Sequence, residues 1–317
     1  MDKAVLGVAL DAATEPAARE FAPRRVLAVF NPAAGQNNRP RFERIVGALR
    51  ATGCTVTVIE TKAPGHAESI AGEITDDFDI VAAAGGDGTV NEIVNGLRAK
   101  DSGAGGKAAA LALIPLGTAN VLADEIGLAR SPQAVATAIA RGPIRPIHIG
   151  SVNGRRFVMM AGAGFDANVV AGVSLALKKR LGPLAYVWQA ARQAFVADQA
   201  ACDVIVDGAS HSTASVVVCN GRRYGGPFIA APNASLADDL FHIVLMPGRG
   251  AFHVARYGIA LMLGRIAKLG DVRLVTGRDV WIRGVPGRPV QADGDIVAVL
   301  PAHVVVDPEP IRLVFPA

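Results

Sequence analysis

Cysteine is scarce and badly placed for chemistry. Cys54, Cys202 and Cys219 are odd in number and far apart, which argues against a disulfide framework or a CxxC metal site and favours a reducing compartment. The six histidines are scattered without metal-ligand spacing. A Walker loop ending in Gly-Lys-Ser/Thr is missing, which argues against a P-loop nucleotide kinase. No Ser-His-Asp or Cys-His constellation can be inferred. Long apolar runs are missing too. The longest, at about 108–123, is interrupted by Pro115, Gly117, Thr118 and Asn120 and falls short of the roughly eighteen residues of a membrane span. Charge of one sign is not in large excess: 32 Lys and Arg face 28 Asp and Glu, a net +4. Without a long basic stripe, nucleic acid is not an expected partner, whereas an anionic membrane surface stays compatible. Residues 1–20 lack the layout of a signal peptide and read as an extension.

What is present suits a globular chain of two domains, with 317 residues and 51% hydrophobic composition. The first half alternates strand candidates (Arg25–Phe30, Cys54–Glu60, Asp79–Ala84, Ala110–Ile114) with helical stretches near 40–51, 66–74, 89–98 and 119–126. This pattern predicts a mostly parallel sheet covered by helices on both sides. Beyond about residue 143 come short β-rich runs: Phe157–Met160, Asp203–Val206, Ser215–Cys219, Phe241–Met246, Val272–Val275, Val280–Ile282, Ile296–Leu300 and Ile311–Phe315. They read as an antiparallel sandwich or barrel. The expected division is an α/β domain over 22–145 and a β domain over 146–317.

Three loops follow strands of the first domain: NPAAG (Asn31–Gly35), GGDGT (Gly85–Thr89) and PLGTAN (Pro115–Asn120). Each alone could be a turn. Ligands of open α/β sheets lie at the carboxyl ends of the strands, so together the loops can converge on one crevice. Glycines let the backbone approach a phosphate, and N–H groups at helix starts supply donors. The GGDGT loop stands between a wholly apolar run and a helix with apolar residues at Val90, Ile93, Val94 and Leu97, which makes it the most specific of the three. In the second half, GAGFDA (Gly162–Ala167) fits a dinucleotide pattern, but no Asp or Glu occurs between Asn168 and Arg192. A Rossmann reading asks for such an acid about twenty residues on.

With these motifs in view, the sequence resembles the bacterial diacylglycerol kinase-like lipid kinases, relatives of sphingosine and ceramide kinases. The resemblance is carried by GGDGTVNEIVNGL, by NPAAG before it and PLGTANVLADEIGL after it. AGAGFDA, RLGPLAYV, YGGPFIAAPNASLADDLFHIVLM and QADGDIVAVLP follow in family order. It implies a three-layer nucleotide domain like those of NAD kinases and phosphofructokinases, followed by an antiparallel β-sandwich. ATP, Mg²⁺ and a lipid alcohol would meet between the two.

The resemblance further implies that Gly85, Gly86, Asp87, Gly88, Thr89, Val90 and Asn91 cradle the ATP phosphates. Asn31, Gly117 and Thr118 would lie beside them, and Thr61 matches the family's nucleotide-contacting threonine. Asp87 would help to position the metal-bound triphosphate; otherwise it is a carboxylate at a helix N-terminus. In DGD, Asp295 stands where the family usually has the glutamate regarded as general base, with Asp293 as the fallback; an acceptor alcohol must lose its proton. Asp-Gly is also a strong hairpin signal. In SLADDLF, the carbonyls of Leu236 and Phe241 and the carboxylate of Asp239 would hold a structural Mg²⁺, although Asp239-Leu240-Phe241 replaces the usual Asp-Gly-Leu.

The stretch 172–196 mixes Tyr186, Trp188 and Phe195 with Lys178, Lys179, Arg180 and Arg192. It suits docking to anionic lipid, or else a helix packed on the sandwich. The expected setting is cytoplasmic, at the inner face of the membrane, and a homodimer stays open. Two other classes are a soluble-metabolite kinase of the NAD kinase type and a catalytically weak lipid-binding regulator.

Overall fold

The computed structural model describes residues 22–35, 38–75, 77–97, 109–164 and 201–316. The N-terminal extension, the end of GAGFDA and the stretch 172–196 lie outside the described residues.

Strands β1 (Arg25–Phe30), β2 (Thr55–Glu60), β3 (Ile80–Gly85) and β4 (Ala110–Pro115) pair in parallel in the order β2-β1-β3-β4. Every residue of β3 and β4 is buried, as expected for apolar runs covered on both faces. The helices are α1 (Arg39–Ala51), α2 (His66–Gly72), α3 (Asp87–Gly96), α4 (Val121–Glu125) and α5 (Pro132–Arg141). Helix α1 packs against α5, and α2 against α3. Ser131 caps α5, its hydroxyl accepting from Ala134 N at 3.2 Å.

The sheet continues past β4 into two further strands, β5 (Ile144–Ile147) and β20 (Ile311–Val314), in the order β4-β20-β5. Strand β20 runs parallel to β4 and antiparallel to β5. Strand β20 thus returns to this sheet from far beyond residue 145. The segment Ile311–Phe315 was expected in the sandwich, but its strand lies inside the first sheet between β4 and β5, with Leu313 fully buried beside Leu111.

The remaining strands form two antiparallel six-stranded sheets. One has the order β10 (Ala209–Thr213), β9 (Cys202–Val206), β16 (Asp279–Arg283), β19 (Ala302–Val306), β6 (Gly150–Val152) and β7 (Arg155–Phe157). The other has β15 (Arg273–Gly277), β14 (Phe241–Met246), β11 (Ser215–Cys219), β8 (Met160–Ala163), β17 (Pro289–Ala292) and β18 (Asp295–Val299). Phe157 and Phe241 stack between the sheets at 5.8 Å. Along β11 the two-residue period decides the packing: Val216 and Val218 enter the sandwich core, whereas Val217 and Cys219 join the core of the α/β domain. One sheet of the sandwich is thus sealed against the nucleotide-type domain.

Two features were not expected. The run Phe157–Met160 is not one strand: the chain leaves β7 at Phe157, crosses between the sheets and enters β8 at Met160. Among the described residues a further helix, α6 (Gly250–Met262), follows β14.

Candidate active site

The glycine loops converge because the first sheet aligns their strands. Gly85 ends β3 beside Pro115 at the end of β4, and Gly85 O accepts from the N–H groups of Leu116 and Gly117. Gly86 and Gly117 meet back to back. A Cβ on Gly117 would lie 2.5 Å from Gly86 Cα, so this approach requires a residue without a side chain. Asn31 joins the third loop, its Nδ2 donating to Thr89 Oγ1 at 3.0 Å. Helix α3 starts at Asp87 with extended Gly86 as its N-cap and no side chain capping it. The open N-terminal turn has the character of an anion site.

Asp87, the first residue of α3, is engaged by the neighbouring loop. Its Oδ1 accepts from Val121 N at 2.7 Å and its Oδ2 from Asn120 N at 3.0 Å. The carboxylate therefore caps α4 and ties the GGDGT loop to PLGTAN. Burial pushes the Asp87 carboxyl above its ordinary range, against the pull of the Val121 N–H; the charge of Asp293 adds to the rise. Asn120 takes the left-handed conformation and exchanges hydrogen bonds with Gly117. Thr118, between them, is exposed. Thr61 follows β2, its N–H bonded to Phe30 O at 2.8 Å. Val90 and Asn91 are buried, and Asn91 turns toward the second domain.

The DGD segment comes to the same place. Asp293 and Gly294 both have positive φ and make the two-residue turn between β17 and β18. The Asp293 carboxylate collects the N–H groups released where the chain crosses between sheets. It accepts from Val158 N at 2.7 Å, Met159 N at 2.9 Å and Met160 N at 3.1 Å, and from Asn91 Nδ2 at 3.1 Å. Burial pushes this carboxyl upward against the pull of those donors. Asp87 and Asp293 line one small cleft with Val90, Val121, Val158 and Met159. Asp295 is exposed, and its Oδ2 lies 3.9 Å from where a Cβ on Gly88 would stand. Of the three acids brought together, Asp295 alone presents an exposed carboxylate beside the glycine loop.

At the metal set implied by the resemblance, two of the three groups have partners within the protein. The Leu236 carbonyl accepts from His148 N at 2.8 Å, and the Asp239 carboxylate is paired with the Arg278 guanidinium. Among the described residues no group of three or more His, Cys, Asp or Glu could hold an ion. The charge of Asp239 is thus balanced by a side chain of the protein.

Sequence reasoning missed the polar groups at the seam between the two domains, where the Arg156 backbone and Glu125 make the bonds that cross it. Arg156, 4% exposed, pairs through Nε and Nη2 with Asp307 at 2.8 and 3.1 Å and with Glu309 at 2.7 Å. Its backbone N–H donates to Asn95 Oδ1, and its carbonyl accepts from Asn91 and Asn95. Glu125 of α4 accepts from Arg222 and from the N–H of Arg223. The available signal was Asn91 and Asn95, four apart on an otherwise apolar helical face.

Residues 25–152 match the diacylglycerol kinase catalytic domain, and residues 159–315 match the YegS C-terminal NAD kinase beta sandwich-like domain. A protein of Pseudomonas aeruginosa named "Probable lipid kinase YegS-like" is 34% identical over 233 residues, covering 70% of this chain and 72% of the relative. The chain belongs to the diacylglycerol kinase-like lipid kinases. As a member of that family it is an ATP-dependent lipid kinase. The diacylglycerol kinase of Bacillus subtilis is 27% identical over 300 residues, covering 92% of this lipid kinase and 97% of the relative. A crystal structure of a diacylglycerol kinase from Bacillus anthracis shares the fold, with a TM-score of 0.73 at 24% identity, covering 93% of this chain and 98% of that one.

Proposed function

We propose that this lipid kinase transfers the γ-phosphoryl group of ATP to the hydroxyl of diacylglycerol, giving phosphatidic acid, at the inner face of the cytoplasmic membrane. A sphingoid or ceramide lipid offers the same hydroxyl chemistry. The observation that carries the reading is the exposed Asp295 carboxylate beside Gly88 of the glycine loop. The loop holds the triphosphate on backbone N–H groups at the start of α3, with Thr61 and Thr118 at its rim. The acceptor oxygen forms a bond to the γ-phosphorus while the bond to the β,γ-bridging oxygen breaks and ADP leaves with that electron pair. Asp295 takes the hydroxyl proton. Mg²⁺ bound to the nucleotide supplies charge neutralisation at the phosphates. Asp87 and Asp293, engaged by backbone N–H groups, position the loop and the hairpin and do not exchange the proton.

The test is transfer of labelled γ-phosphate from Mg-ATP to mixed micelles of diacylglycerol, ceramide, sphingosine or monoacylglycerol, with NAD as a soluble acceptor. Asp295→Asn is expected to lower kcat by about 10²–10⁴-fold with the affinity for ATP retained. Labelled NAD and no labelled lipid, or undiminished kcat in Asp295→Asn, would overturn the proposal.

A further inference from the structure

We propose that α6 is a membrane-docking element that lies in the interfacial plane of an anionic bilayer, and this rests on the lipid kinase reading above. The helix is apolar nearly all round. Its inner side is anchored by buried Tyr257 and Ala260. Tyr257 Oη donates to Asp271 at 2.7 Å, and Arg256 grips the same carboxylate through two bonds of 2.8 and 2.7 Å. Its outer side carries Phe252, Ile259 and Met262, 75%, 58% and 63% exposed, and Leu263 continues the stripe at 64%. At helical spacing, Phe252, Ala255, Ile259, Met262 and Leu263 fall within an arc of roughly 100°. Leu274 on the edge strand β15 adds to the same exposed apolar set.

Charge complementarity selects the occupant. From Pro247 to Arg278 the sequence holds Arg249, Arg256, Arg265, Lys268, Arg273 and Arg278 against the lone acid Asp271. That acid is already engaged by Arg256 and Tyr257, and the Arg256 guanidinium holds its carboxyl well below the usual carboxylate range. Arg249 just before the helix, Arg265 and Lys268 after it, and Arg273 on β15 are all exposed. An apolar stripe with a cationic rim matches acyl chains under anionic headgroups. The helix is also placed to deliver lipid. It touches the β13 segment Phe228–Ile229, whose partner β12, Arg223–Tyr224, touches α4, and Asp87 caps α4.

The test uses the full chain and sedimentation with vesicles of phosphatidylcholine, with and without phosphatidylglycerol. The wild type is expected to bind the phosphatidylglycerol vesicles in a salt-sensitive way. The paired change Phe252→Ser with Ile259→Ser is expected to weaken binding about tenfold or more, and Lys268→Glu with Arg273→Glu to weaken it comparably. A fluorophore on Phe252→Cys is expected to shift to the blue on vesicles. Kinase activity on a short-chain diacylglycerol dissolved as monomer should be equal in wild type and variants. Absence of that activity in the wild type would count against the kinase reading, and vesicle binding would still read the docking. The docking proposal is overturned if the wild type ignores phosphatidylglycerol, if both paired variants bind as it does, or if the serine pair dissociates a lipid-free dimer, which would make the stripe a contact between copies.

Discussion

The two inward carboxylates do the work of backbone satisfaction, and their titration exposes it. Asp87 and Asp293 are both raised by burial above the ordinary value of 3.8. A carboxyl with a raised folded-state pKa contributes stability that is fully present below its unfolded value and lost as pH rises through the folded one. In Asp87→Asn the amide presents one acceptor to the two N–H groups of Asn120 and Val121, at a cost of about 1–3 kcal/mol. The gap in urea stability between wild type and this variant is expected to narrow as pH climbs above the ordinary carboxylate range. A gap that stays level with pH would mean that Asp87 titrates in the fold as it does in the unfolded chain.

Among the elements, the loops that meet at Gly86 and Gly117 leave no room for a methyl group. Gly117→Ala would drive a Cβ to 2.5 Å from Gly86 Cα, and backbone on both sides has little freedom to yield. The affinity for ATP is expected to fall about tenfold or more, read by calorimetric titration, with stability lower by about 1–3 kcal/mol. These loops were legible in the sequence because β3 and β4 are apolar throughout and their glycines stand at the strand ends. The strands β11 and β14 were legible to the residue, Ser215–Cys219 and Phe241–Met246. Helix α6 was not: GAFHVARYGIALM is apolar on its exposed side as well as its buried one, so no polar face marks the period. The role of Asp293 was equally hidden. Its bond to Asn91 spans 202 positions, and no local pattern encodes a register set by two sheets.

At the scale of the whole molecule, a buried ion pair within the sandwich stands at the seam where the Arg156 backbone meets Asn91 and Asn95 of α3. Arg156→Met would leave Asp307, 8% exposed, without its partner. The expected loss is about 3–5 kcal/mol by urea denaturation, and adding Asp307→Leu should recover part of it, because an apolar pair of similar volume carries no stranded charge. A loss unchanged in the double variant would assign the effect to Asn95 and the Arg156 backbone instead.

The placement of β20 has a consequence for how such proteins can be recombined. The α/β sheet is complete only with residues 311–314, which follow the whole sandwich in the chain and still separate β4 from β5. A single crossover near residue 150 would graft a foreign sandwich and, with it, a foreign strand into the middle of the nucleotide-type sheet. Leu313 beside Leu111 would then have to be matched by chance. Exchange of sandwich domains between relatives thus needs two junctions rather than one, so that residues 311–314 stay with the sheet they complete.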